Sequence, residues 1–216
     1  MPIHTVLPGL DRLISVCQRN SLPLKLPAPL PEAPKQGDLL FGEPLDPQLA
    51  AVYRRFGAAE FGPFALYHPG REWMDLIPWN TRLKEHGLVH YNASLIFAQE
   101  AGFSLYFGTV PRLADSQGLQ PVVYIVAQDA DQYAIPLAAS VDRFFDLCSR
   151  YLQLMAASPE HRGSWNPAVT FPWDMIHQIV RDEALIAQVR AGRFDFLAND
   201  YEGALRWLQQ LRAARG

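Results

Sequence analysis

The chain has 216 residues, 49% of them hydrophobic and 19% charged. A chain of this length buries roughly 70% of its extended surface on folding, which excludes whole-chain disorder. Lys and Arg number 19 against 22 Asp and Glu, a formal charge of −3, and no basic block could follow a phosphate backbone, so no nucleic-acid partner is expected.

The opening MPIHTVLPGLDRL lacks the basic start, apolar stretch and cleavage site of a secretory signal. No stretch approaches the roughly 18 apolar residues of a membrane span, so the expectation is a cytoplasmic chain with no membrane partner. Cys17 and Cys148 fall inside apolar helical patterns and read as reduced core thiols rather than metal ligands. Asn92-Ala93-Ser94 fits a glycosylation sequon, which in a chain without an export signal reads as chance.

Leu10, Leu13, Ile14 and Cys17 predict a first helix over 10–19. Seven prolines between Pro23 and Pro47 then predict an extended connector rather than a folded layer. Asp46 as cap, Pro47 at the first helical position and Gly57 as a left-handed stop bound a second helix, whose stripe is Leu49, Val52, Tyr53 and Phe56. A first strand is expected at 63–68. Residues 71–86, with Trp73, Pro78 and Trp79 among mixed charges, read as a loop with a helical turn.

SLIFAQ (94–99) and FSLYFGTV (103–110) predict an antiparallel hairpin, and PVVYIVA (121–127) adds to the same sheet. Asp129 to Gln132 turn the chain into YAIPLA, a short edge strand because Pro136 cannot donate to a ladder. Ser140 then caps a long helix with two apolar stripes, one through Val141, Phe145, Cys148, Leu152 and Met155, the other through Phe144, Leu147, Tyr151 and Leu154. After a loop at 156–170, Trp173, Ile176, Val180, Ala184 and Ala187 make one helical face, and Ala204, Leu205, Leu208 and Leu211 another, giving a terminal helical hairpin packed on the rest.

Catalytic signatures are missing at each position tested. No GxG turn is present; the GxxxxG spacings at Gly37–Gly42 and Gly57–Gly62 continue with Glu43 and Pro63 where a phosphate-binding Lys should stand. There is no GxSxG elbow, and neither cysteine has the charged surroundings of a thiolate. His86 and His90 are separated by Gly87 and read as ordinary histidines, and Asp129 with Asp131 supplies too few oxygens for a cation. Trp173, His177 and Arg181 share a helical face as aromatic and cationic packing. Trp173 and Trp207 read as core; Trp73 and Trp79, beside Glu72 and Asp75 in a segment with no period, mark a candidate partner surface.

Two stretches carry a family likeness. Leu45-Asp46-Pro47 through Gly62-Pro63 is a proline-opened helix with Tyr53 and Phe56, leading through a glycine-bearing turn into a strand. Val122-Val123-Tyr124-Ile125 through Pro136-Leu137-Ala138-Ala139-Ser140 into Phe144-Phe145 runs strand, short strand and helix with an aromatic pair. Over roughly 45–156 the chain resembles the SUKH superfamily, the Smi/Knr type that includes cell-wall-assembly regulators and bacterial toxin-immunity proteins. It departs from that pattern at Glu100-Ala101-Gly102 and in its C-terminal extension.

The resemblance implies an α+β fold: a curved, mainly antiparallel sheet packed against helices, with the C-terminal helical hairpin added. The division expected is an N-terminal helix and Pro-rich connector (1–44), a SUKH-like core (45–156) and a helical extension (157–216) in one compact domain. It further implies a protein without active site, cofactor or metal that neutralises a toxin domain encoded nearby by stoichiometric binding. Glu60, Glu72, Trp73, Asp75, Trp79, Asp129 and Asp131 are the candidate partner-binding residues, the acidic ones suited to a basic toxin surface. A regulator or scaffold of the same fold is one alternative. The other is an enzyme or ligand-binding protein with a pocket near 60–79, using His68 or Glu60 as acid or base.

Overall fold

The computed structural model describes residues 5–29, 31, 33–70, 75–100, 105–128, 131–158, 169–198 and 201–214. Among these, helix α1 (Pro8–Arg19) is followed by three two-residue strands, β1 (Leu24–Lys25), β2 (Leu39–Leu40) and β3 (Glu43–Pro44), and by α2 (Pro47–Arg55). Then come β4 (Glu60–Phe61), β5 (Phe64–Leu66), α3 (Leu76–Glu85), α4 (Val89–Asn92), β6 (Leu95–Glu100), β7 (Leu105–Thr109), β8 (Val122–Gln128) and β9 (Asp131–Ala138). The chain ends with α5 (Val141–Ala157), α6 (Ile176–Ile179), α7 (Glu183–Arg190) and α8 (Glu202–Ala213). Seven strands form one antiparallel sheet in the order β1-β4-β5-β6-β7-β8-β9, while β2 and β3 form a separate hairpin, so the fold is α+β as expected.

Alternation along the strands gives the sheet two different faces. Phe64 and Phe107 point at α5, where Phe144 and Tyr151 of the helix and Phe171 from the segment after it meet them at centroid separations of 4.9–5.9 Å. Tyr67 and Tyr106 point the other way, and Trp79 of α3 stacks on the first at 5.8 Å and stands edge-on to the second at 5.9 Å. Helix α5 forms because Ser140 caps it and both predicted stripes are buried except Leu154. On its outer side it carries α1, whose first amides, Gly9 and Leu10, donate to Asp142 Oδ1 at 2.9 and 3.2 Å. Only glycine fits at position 9, since a Cβ there would lie 2.1 Å from the Asp142 carbonyl oxygen. Cys17 and Cys148 are both free and buried.

Several expectations are corrected. The proline-rich connector is not bare: Leu24 and Lys25 pair with Phe61 and Glu60 at the sheet edge, and residues 39–44 close a hairpin. Pro44 itself stands opposite Leu39, and the other prolines lie outside the paired residues, so short ladders survive. Gly57 is no left-handed stop; Phe56 leaves α2 in extended geometry and the Gly57 N–H donates to Pro27 O at 2.9 Å, binding the connector down. The strand expected at 63–68 is present as the three-residue β5, and a further short strand, β4, precedes it across the turn at Gly62-Pro63.

Segment 71–86 contains the helix α3 rather than a loop, because Asp75 caps it and Pro78 falls in the first turn, where its missing N–H has no partner to lose. Strand β9 does lie at the sheet edge, but with eight residues it is not short. The penultimate helical face breaks at Val180–Asp182, where Asp182 caps α7; Met175, Ile179, Leu185, Ile186 and Val189 are buried instead of the predicted stripe. Trp173, His177 and Arg181 therefore do not share one helix, and Trp173 is 38% exposed, edge-on to Trp207. In α8 Trp207 is buried and Leu205 is exposed.

The C-terminal helices close the β9 edge. Trp207 Nε1 donates to Pro136 O at 3.1 Å, and Asp182 accepts from Ala139 N at 2.8 Å while its other oxygen caps α7. Covering an edge strand in this way removes a template for pairing with other chains. No described helix is long and apolar enough to cross a membrane.

The hairpin β2–β3 has two residues per strand and cannot hold itself. It is fixed by Asp46, fully buried, whose Oδ1 accepts from Gln48 N and Leu49 N at 2.8 and 2.9 Å and whose Oδ2 accepts from Gln120 N at 2.7 Å. Gln120 Nε2 in turn donates to Pro44 O at 2.7 Å. Replacing Asp46 by Ala leaves three buried amides without acceptors. Urea denaturation is expected to show a loss of at least about 2 kcal/mol; a loss below about 0.5 kcal/mol would mean that water takes over the carboxylate's role.

Candidate functional site

Helix α3 places Asn80 and Lys84 one turn apart on the same face. Asn80 acts as a strand partner: its Oδ1 accepts from Ile96 N at 2.8 Å and its Nδ2 donates to Ile96 O at 2.7 Å, beside the bulge between Ile96 and Ala98. With α3 clamped to β6, the Lys84 side chain reaches the carbonyl end of α4 and donates to Tyr91 O, Asn92 O and Ser94 O at 3.0, 3.1 and 3.1 Å. An ammonium at a helix C-terminus answers both the orphan carbonyls and the dipole. Burial lowers the Lys84 pKa from its ordinary value, and nearby Glu43 partly offsets that.

The β2–β3 hairpin overhangs this point and encloses a cavity of about 310 Å³. Leu40, Phe41 and Glu43 form its hairpin wall; Lys84, Val89, Ser94, Leu95 and Arg112 belong to the opposite wall. The Phe41 ring centroid is 5.6 Å from Lys84 Nζ. Arg112, on the 3-10 turn Pro111–Leu113, lays its guanidinium over the Phe196 ring at 3.0 Å. Ser94 is 2% exposed, and its hydroxyl has no hydrogen-bond partner among the described residues. Neither Lys84 nor Arg112 is ion-paired with a described carboxylate. Two cations, one carboxylate and apolar side chains thus border the cavity, while the Ser94 hydroxyl is closed off from solvent.

The residues singled out in the sequence lie elsewhere. Glu60 pairs with Lys25 across β1 and β4 at 2.8 Å. Asp75 caps α3 by accepting from Ile77 N at 3.0 Å. Trp79 is half-buried between Tyr67 and Tyr106, with Arg82 over its ring at 5.8 Å. Glu72, Trp73 and Asp129 lie outside the described residues, as does the side chain of Asp131, whose backbone opens β9 opposite Gln128.

His68 is buried, with Nδ1 2.7 Å from Pro69 O and its ring edge-on to Tyr53; neither it nor Glu60 lines the cavity under the hairpin. His86 ends α3 and His90 lies in α4, and no cluster of three metal-ligating side chains occurs among the described residues. Sequence reasoning missed Phe41, Lys84, Ser94 and Arg112. Phe41-Gly42 carried a turn signal, but the other three meet only through tertiary packing.

Beside the cavity, His90 is 1% exposed, and burial pushes its imidazole down from 6.5 to about 4. Between those values the unfolded chain binds a proton that the folded chain refuses, so stability falls as pH falls. From pH 6.5 to 4.5 this group alone costs on the order of 2 kcal/mol. Burial raises the Asp46 pKa to about 6 despite its three amide donors, which works in the opposite sense, so the measurement is a comparison with the parent. His90→Phe is expected to lose less stability than the parent over that interval in urea titrations; parallel losses would show that the folded imidazole takes up its proton freely.

The chain matches no protein-family model, no curated protein and no solved structure.

Proposed function

We propose that this chain is a non-catalytic protein-binding protein of the immunity type, which neutralises a toxin domain encoded nearby by stoichiometric binding, and that the tip of the β2–β3 hairpin together with Val89 is the centre of its contact surface. The observation that carries this reading is Phe41. The turn residues Phe41 and Gly42 have φ +56° and +79°, positive at both central positions, as mirror-image hairpin turns require. Asn or Asp ordinarily precedes the glycine, because a bulky L-residue in that region costs roughly 1–2 kcal/mol.

An aromatic ring kept at that cost is 39% exposed, next to Leu39 at 64% and across the cavity mouth from Val89 at 47%. Its one described ring contact with charge, Lys84, recovers only part of the cost. Backbone strain kept at an exposed aromatic residue points to a partner. One further point supports the reading. The stretches that carry the SUKH resemblance form α2-β4 and β8-β9-α5, whose strands belong to one sheet.

Phe41→Asn separates fold from function, since asparagine suits the turn better than phenylalanine. The variant is expected to melt at or above the parent temperature while its affinity for the toxin domain encoded beside it falls at least about 30-fold, the scale of a central aromatic anchor. Calorimetric titration showing unchanged affinity for Phe41→Asn and for Val89→Ser, or no binding of that domain by the parent, would overturn the proposal.

A further inference from the structure

Glu100 ends β6 on the face of the sheet that receives α5. Residues opposite one another in an antiparallel ladder send their side chains to the same face, and Glu100 stands opposite Phe64. Phe64 meets Tyr151 of α5 at 5.9 Å and Phe171 at 5.4 Å, so the carboxyl enters an aromatic layer at its margin. Tyr124 of β8 and Cys148 and Tyr151 of α5 all feel its charge. None of them can balance it, since burial raises both phenols and the thiol and keeps them neutral at pH 7. Asp174, which acts on Tyr151, adds charge of the same sign, and Arg150 of α5 is turned to Asp146 at 3.2 Å. No described cation pairs with Glu100.

We propose that Glu100 is a pH-operated latch between the sheet and α5: protonated, it packs against Phe64, Tyr124 and Tyr151; ionised, it turns out to water and loosens the rings that hold the second half of α5. Position makes both states accessible. Glu100 is half-buried and ends its strand, so its side chain can leave the rings without breaking the ladder behind it. A carboxylate among those rings loses its hydration and gains no partner, whereas the neutral acid loses far less. Burial accordingly lifts the Glu100 pKa from 4.5 to about 7. The unfolded chain ionises near the first value and the folded chain near the second, so the stability this group adds is full below 4.5 and lost as pH rises through 7. The latch lies within the fold and does not depend on the protein-binding reading.

The test compares the full chain with Glu100→Gln, which keeps the shape of the protonated acid and does not titrate. Carbon-13 shifts of the Glu100 carboxyl report its own midpoint, ring-proton shifts of Tyr124, Tyr151 and Phe171 report the aromatic layer, and urea titrations at pH 5 and pH 8 report stability. The carboxyl is expected to titrate within about one unit of 7, with the ring shifts following the same midpoint in the parent and staying flat in Glu100→Gln. Between the two pH values the parent's folding constant is expected to fall at least about tenfold more than the variant's. Asp46 and the histidines are common to both proteins and cancel in that comparison. A carboxyl midpoint below about 5, ring shifts indifferent to that midpoint, or equal pH dependence of stability in the two proteins would each overturn the proposal. Should Glu100→Gln not fold, the carboxyl and ring titrations of the parent decide it.

Discussion

A single buried carboxylate decides whether the candidate site exists. Asp46 starts α2, but its second oxygen reaches across 74 residues of sequence to the Gln120 amide, and Gln120 returns a bond to Pro44. The hairpin from Leu39 to Pro44 is therefore held by its base and not by its own two-residue ladders. Burial makes the charge expensive and lifts the carboxyl pKa to about 6, while three amide donors offset part of that cost and fix the geometry, which only this arrangement supplies.

The same economy governs the rest of the sheet. One face is filled by α5 through an aromatic cluster, the other is covered beside Tyr67 and Tyr106 by α3, and the β9 edge is closed by α7 and α8. These helices do more than cover apolar area. Asn80 pairs with the backbone of β6 at its bulge, Trp207 takes the outward carbonyl of Pro136, and Asp142 caps α1 from α5, so each contact also satisfies a polar backbone group that burial would otherwise strand.

The hairpin tip stands out differently. There an aromatic residue occupies a left-handed turn position beside two cations, Lys84 and Arg112, that lack described carboxylates. Departures of this kind gathered in one place are where a sequence gives up stability for recognition. The protein-binding proposal draws on Phe41 with its exposed neighbours Leu39 and Val89.

Local signals were enough for much of the fold. Asp46 with Pro47 and Ser140 announced their helices, the alternation of 94–110 and 121–127 announced the central strands, and Pro136 placed β9 at an edge, because caps, period and missing donors act within a few residues. The same local reading failed where the deciding contact is remote: the pairing of Leu24 with Phe61, the descent of Gly57 onto Pro27, and the exposure of Trp173 and Leu205, while Trp207 is buried as read. The candidate site belongs wholly to that second class. Nothing near Lys84, Ser94 or Arg112 in the chain marks them, since an ammonium on α3, a serine ahead of β6 and a guanidinium on a short turn acquire a common purpose only when Asn80 clamps the helix and Asp46 swings the hairpin over them. The sequence by itself determined the capped helices and the central strands and that they assemble as α+β; the tertiary structure decided the short edge strands, the hairpin and the residues that meet beneath it, because these depend on which partners arrive from distant parts of the chain.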